Sequence, residues 1–330
     1  MTATTEDLVA QATHELPPAL FHGEDGRAVR PCTPPETTTR HLRMLDLAPG
    51  QRVLDIGLGS GYSAALTERI TGPNGRVIAM EMNAELAERA SVLFTENGLD
   101  VDVRVGDGMF GCPEEAPFDR ILVGATPPHI PAAWLEQLRP GGVLLCGVRI
   151  SPLPGAYAIA RITVDEHSNP DQVEAHSGGY TPMTTDVKHT VDSYFEDGTF
   201  LSTLAPRSEA EHRALAHALT DQPHTEPSQV GGQEAFLHFK NWLIAEEPDG
   251  LMEASTRHGP GIGLGHLDET GAAAAYVTPD LLVTDHERSE SARTLRDLVD
   301  HWHSQGAPET SSLCAALNRY DEAWRISVTR

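Results

Sequence analysis

Two hydrophobic rhythms alternate along the first half of the chain. Short apolar runs at Val53–Ile56, Val77–Met80, Val101–Val105, Phe118–Val123 and Val143–Val148 have the length and β-branched character of buried strands. Between them lie stretches with helical spacing: Ser63–Ile70, the face Leu86, Ala90, Leu93 and Phe94, and Pro131–Leu138. Asn83 is a good N-cap for the second of these, Gly98 ends it, and Pro140-Gly-Gly142 reads as a turn before the fifth strand. This βαβα order predicts an α/β fold with a doubly wound, Rossmann-like parallel sheet that binds ligands at the carboxyl ends of its strands. Two helices are expected upstream, over 5–14 and 38–47, separated by an irregular proline-rich stretch. Two antiparallel strands, 156–164 and 172–183, extend the sheet edge. The pattern then loosens. Residues 198–232 carry Pro206, Pro223, Pro227 and Gly231-Gly232 among polar residues, and only 209–219 looks helical. The predicted layout is therefore a first domain over 1–197, a linker-like region over 198–232, and a smaller α+β appendage over 233–330. The appendage has an apolar-rich stretch at 234–244, strands at 262–268, 273–278 and 281–284, and a helix at 291–304 bearing Leu295, Leu298, Val299 and Trp302 on one face.

Composition narrows the function classes. The chain has 330 residues and a formal net charge of −24, the reverse of the positive footprint that nucleic-acid binding needs. Lys188 and Lys240 are the only lysines, so arginine carries nearly all the positive charge. The four cysteines, Cys32, Cys112, Cys146 and Cys314, form no C-x-x-C pair and no metal spacing, and no metal is expected. The N-terminus has neither a basic n-region nor an apolar h-region, and no apolar run approaches membrane-spanning length. The expectation is a soluble cytoplasmic protein with no nucleic-acid or membrane partner.

The candidate chemistry centres on Asp55-Ile-Gly-Leu-Gly-Ser-Gly61, where strand, glycine turn and helix follow in order. The dinucleotide fingerprint is Gly-x-Gly-x-x-Gly; here Gly57, Gly59 and Gly61 fall at every second position after an acid. Asp55 suits a ligand with a cationic amino-acid end and would repel a pyrophosphate. This turn resembles the first motif of S-adenosylmethionine-dependent methyltransferases. On that reading Glu81, ending the second strand, accepts from both hydroxyls of a ribose. Asp107 accepts from the adenine amino group, and Gly108 leaves room for the ring.

Four blocks together, Val53–Ala65, Gly106-Asp-Gly-Met-Phe-Gly111, Ala116-Pro-Phe-Asp119 and Glu136-Gln-Leu-Arg-Pro-Gly-Gly142, resemble protein-L-isoaspartate O-methyltransferases over roughly residues 30–185. The resemblance implies S-adenosyl-L-methionine as cofactor, S-adenosyl-L-homocysteine as product, and cofactor contacts from Asp55, Gly57, Gly59, Ser60, Gly61, Glu81, Met82, Asp107 and Gly108. It implies a peptide or protein substrate, covered by residues 1–50 and held by Thr33, Pro35, Tyr180 and Met183. Thr33-Pro34-Pro35 stands where the family has Ser-x-Pro, and Tyr180-Thr-Pro-Met183 resembles its Phe-Val-Pro-Leu/Met segment. Thr33 is the candidate catalytic residue, a hydroxyl donor to the substrate carboxylate; the other reading is a cap for the helix that follows. Glu36, where the family has an aromatic residue or His, is expected to pair with Arg40. The extension beyond 198 resembles actinobacterial relatives that tailor ribosomally made, post-translationally modified peptides. The favoured expectation is methylation of an aspartate in such a constrained precursor peptide, the ester then closing to a succinimide. General isoaspartate repair, a small-molecule methyltransferase and a non-catalytic cofactor-binding module are the alternatives.

Overall fold

The computed structural model describes residues 4–23, 25–30, 32–183, 192–269 and 271–330. The chain opens with α1 (Thr5–Glu15), whose capping box joins Thr4 and Asp7, and α2 (Pro35–Met44). The alternating region follows: β1 (Arg52–Ile56), α3 (Tyr62–Thr71), β2 (Arg76–Glu81), α4 (Ala84–Glu96), β3 (Val101–Val105) and β4 (Phe118–Val123). Asn83 caps α4, its side chain accepting from the N–H groups of Glu85 and Leu86. Next come β5 (Ile130–Pro131), α5 (Ala132–Glu136), β6 (Leu138–Arg149), β7 (Tyr157–Val164) and β8 (Pro170–Ser177). Strands β1–β4 and β6–β8 form one seven-stranded sheet in the order β3-β2-β1-β4-β6-β7-β8. It is parallel through β6, while β7 and β8 are antiparallel additions at the edge. The doubly wound sheet is thus present. The expected turn at Pro140-Gly-Gly142 is absorbed into β6, where the register against β4 shifts between Phe118 and Arg120.

The second half builds its own sheet from β9 (Asp192–Tyr194), β10 (Phe200–Thr203), β11 (His224–Pro227), β12 (Leu251–Thr256), β13 (Gly259–Asp268), β14 (Gly271–Val277) and β15 (Leu281–Thr284). The order is β11-β15-β14-β13-β12-β10-β9. Three helices accompany it: α6 (Glu209–Thr220), α7 (Gln233–Glu246) and α8 (Glu290–Ser304). Residues 198–232 are therefore not linker-like. They supply β10, α6 and β11, and Pro227 is accommodated because β11 is an edge strand.

The two halves share a core. Ile56, Trp134 and Val148 belong to the same apolar cluster as Phe239, Trp242 and Trp302. The C-terminal hairpin of β16 (Cys314–Tyr320) and β17 (Ala323–Thr329) pairs back onto β5, with Trp324 opposite Ile130. Among the described residues no helix is long and apolar enough to cross a membrane, and no group of three His, Cys, Asp or Glu is placed to hold a metal.

Candidate active site

A cavity of about 790 Å³ opens at the carboxyl ends of the central strands, within the size range of small-molecule sites. One wall is the glycine turn and the two strand ends beside it. Gly57, Gly59 and Gly61 all have positive φ, of 86°, 53° and 88°, which a side chain would strain. Glu81 is held by two main-chain donors: Gly59 N–H to Oε2 at 3.0 Å and Asn83 N–H to Oε1 at 2.9 Å. Each oxygen keeps a lone pair for a further donor. Asp107 Oδ1 accepts from Met109 N–H at 3.0 Å. Gly108 has no room for a side chain, because a Cβ would run into Ile56 Cγ2.

Three expected residues lie behind the walls rather than on them. Asp55 is buried beneath the turn, where Oδ2 accepts from Ser63 Oγ at 2.7 Å and Oδ1 has no partner among the described residues. Burial, with the Glu81 charge adding to it, pushes its carboxyl up to about 7. Ser63, which Asp55 holds, does line the cavity. Gly61 is the N-cap of α3, packed so closely on α4 that a Cβ would lie 3.1 Å from Phe94 Cζ. Pro35 is the first residue of α2, where its fixed φ suits a helix start. The other expected residues, Thr33, Gly57, Gly59, Ser60, Glu81, Met82, Asp107, Gly108, Tyr180 and Met183, all line the cavity.

The opposite wall is assembled from distant pieces. Helix α2 begins three residues before its expected start, so Thr37, Arg40 and His41 fall on one helical face and line the cavity. Thr33 does not cap this helix: the N-cap is Pro34, without a side-chain hydrogen bond. Glu36 has no ion-pair partner among the described residues. Arg40 instead donates from Nη2 to Ser177 O at 3.3 Å and to His41 Nε2 at 3.4 Å. Since Arg40 can only donate, Nε2 is the acceptor, and His41 Nδ1–H donates to Tyr180 Oη at 2.5 Å. Burial first, then the charges of Arg40 and His176, hold the His41 imidazole down to about 3, so it is neutral at pH 7. The Tyr180 segment is also strapped to the loop after β4. Thr126 Oγ1 donates to Tyr180 O at 2.9 Å, and Met183 N–H donates to Thr126 O at 2.8 Å. Leu237, on α7 of the second half, completes this side.

The sequence profile of the family described as protein-L-isoaspartate(D-aspartate) O-methyltransferase matches residues 30–185. The protein-L-isoaspartate O-methyltransferase of Ignicoccus hospitalis is 36% identical over 157 residues, 44% of this chain and 74% of that protein. The chain belongs to this family. Proteins of the same name from Methanopyrus kandleri and Archaeoglobus fulgidus are 41% and 47% identical over 145 and 106 residues. Those matches take in 43% and 32% of this chain but only 62% and 48% of the relatives' own length. A solved protein-L-isoaspartate O-methyltransferase structure aligns over 97% of this chain and 94% of its own at 18% identity, with a TM-score of 0.49.

Thr37, Arg40, His41, Ser63 and Leu237 line the cavity and were not among the site residues expected from sequence. For Thr37, Arg40 and His41 the signal was available: a helix begun at Pro35 puts all three on one face. For Leu237 no local pattern marks it, because only the tertiary fold brings it to the cavity.

Proposed function

We propose that this protein is an S-adenosylmethionine-dependent carboxyl O-methyltransferase acting on an isoaspartyl or aspartyl carboxylate of a peptide or protein. The single observation that carries the reading is the pairing of the two walls. Glu81 is pre-oriented by two N–H donors on one side, and the Thr33 and Tyr180–Met183 segments, where the family holds substrate, stand on the other. The glycine turn, with Ser63 held from beneath by Asp55, fits the methionine end of the cofactor. Glu81 would hold its ribose, and Asp107 its adenine. The bound cofactor supplies an electrophilic methyl group on a sulfonium.

The protein's own part is modest. A substrate carboxylate is ionised at neutral pH, so no residue has to remove a proton from it. Thr33 Oγ1 donates to one carboxylate oxygen and leaves the other free to react. The Tyr180–Met183 strap and Leu237 exclude water and fix the approach, which is catalysis by proximity. The product ester then closes onto the next backbone nitrogen with loss of methanol, giving a succinimide.

The relatives' names favour isoaspartyl substrates over the tailoring of a constrained ribosomal peptide. One observation keeps the second reading: Leu237 comes from the half of the chain beyond the family match, so residues outside 30–185 help shape the substrate side. Purified protein, labelled cofactor and mass spectrometry separate the two. A linear isoaspartyl peptide that gains one methyl at a rate matching or exceeding a cyclised aspartyl peptide supports isoaspartate repair. Turnover confined to the cyclised peptide supports tailoring. No methyl transfer to either would overturn both.

A further inference from the structure

We infer that Arg40 reads a second carboxylate of the substrate, so that the enzyme prefers peptides with an acidic residue about two to four positions from the one methylated. This rests on the methyltransferase reading above and adds the class of peptide selected.

Arg40 is the one cationic side chain among the described residues lining the cavity, since its neighbour His41 is neutral. It has no carboxylate partner among the described residues. Glu36, one helical turn before it, makes no ion pair. Glu174, on the neighbouring β8, is engaged by His176 at 3.1 Å and Arg161 at 3.4 Å. The guanidinium is nevertheless anchored. Nη2 bonds Ser177 O and His41 Nε2, while Nε and Nη1 have no partner among the described residues. A fork fixed at one prong and free at the others is suited to a carboxylate. In a protein of net charge −24 whose cavity also holds Glu81 and Asp107, an uncompensated arginine is otherwise hard to account for.

Position separates this anion from the methyl acceptor. Arg40 lies seven residues after Thr33, two of them extended and five helical, so their backbones are separated by about 7.5 Å along the helix and at most about 14 Å in all. An extended peptide advances about 3.3–3.6 Å per residue. The offset therefore corresponds to about two to four residues of substrate.

The test uses the full chain and three isoaspartyl peptides: a neutral one, and two with glutamates at the positions about two to four residues before, or about two to four residues after, the isoaspartate. For the wild type, kcat/KM should be about tenfold higher for one of the acidic peptides, the scale of a charge-assisted hydrogen bond. The preference should shrink at high salt, as a solvent-accessible ion pair requires. In Arg40→Gln the acidic-to-neutral ratio should fall close to one, and Arg40→Lys should restore part of it. An unchanged ratio in Arg40→Gln, or no preference in the wild type, overturns the inference. So does an equal loss on all three peptides, which would make Arg40 a ligand of the accepting carboxylate. Calorimetry of the same peptides with S-adenosyl-L-homocysteine present reads the ratio without turnover. Charge-selective binding with no methyl transfer would sink the methyltransferase reading and leave this one standing, whereas no peptide binding at all overturns both.

Discussion

The two walls of the cavity are built in opposite ways. The wall proposed for the cofactor comes from neighbouring strand ends within one stretch of chain, from Ile56 to Met109, and much of its geometry is backbone: positive-φ glycines and N–H groups that hold Glu81. The wall proposed for the substrate draws on α2, the loop after β4, the strap from Gly178 to Met183 and Leu237 of α7; main-chain bonds brace the strap against Thr126, while Arg40, His41 and Tyr180 are positioned by side-chain bonds. A wall made of backbone has little freedom to vary without losing its ligand. A wall made of side chains can change its substrate one residue at a time. That difference fits a family resemblance that holds at the glycine turn while Thr33 and Glu36-Thr37 depart from it on the other side.

The largest effects should therefore come from the backbone wall and stay there. Gly59→Val puts a β-branched residue at φ 53° and should abolish cofactor binding in calorimetry, with the fold retained by circular dichroism. Glu81→Ala should follow, weakening binding by about 1.5–3 kcal/mol for each charge-assisted bond lost. Peptide affinity should change little in either variant. Equal losses on both ligands would mean that the two walls are one coupled unit.

The next effect is a pH dependence confined to the cofactor side. Asp55 is raised from 3.8 to about 7 by burial, so the folded protein retains a proton that the unfolded chain has released. Its contribution to stability is then fully present below pH 4 and is lost as pH rises toward 7. Ligand binding has the opposite sign, because a cationic cofactor favours the ionised carboxylate. Affinity should rise by about tenfold between pH 6 and pH 8, and Asp55→Asn should flatten that rise. A profile unchanged in Asp55→Asn would remove Asp55 from the cofactor side.

How far the molecule was legible follows the same division. β1, the glycine turn and α3 could be read directly, as could β2 to β4, because strand periodicity, glycine spacing and the Asn83 cap are local signals. The start of α2 was missed because Pro34-Pro35 reads as a break, although proline is well suited to a first helical turn. The expected Glu36–Arg40 pair fails because Ser177 O and His41 Nε2 offer Arg40 other acceptors, which belong to tertiary structure. Residues 198–232 looked like a linker because β10 and β11 have four residues each, too short for alternation to show. Their partners, β12 and β15, lie about fifty residues further along the chain.

The smallest predicted effect tests the comparison most sharply, because it removes one oxygen from the side-chain wall. In Tyr180→Phe the His41 Nδ1–H loses its acceptor while nearly buried, which should cost about 1–3 kcal/mol of stability. The peptide KM should rise a few-fold while the cofactor affinity stays unchanged. A purely structural pair would show the same loss of stability, so the deciding variant is the double change His41→Leu with Tyr180→Phe. Replacing both partners by apolar groups removes the orphaned donor and should recover most of the stability. In the wild type, His41 donates to Tyr180 Oη, so the tyrosine's own O–H is free to donate to the substrate. If it does, the double variant melts near the wild-type temperature yet keeps the raised KM. If KM recovers together with stability, the pair only braces the strap.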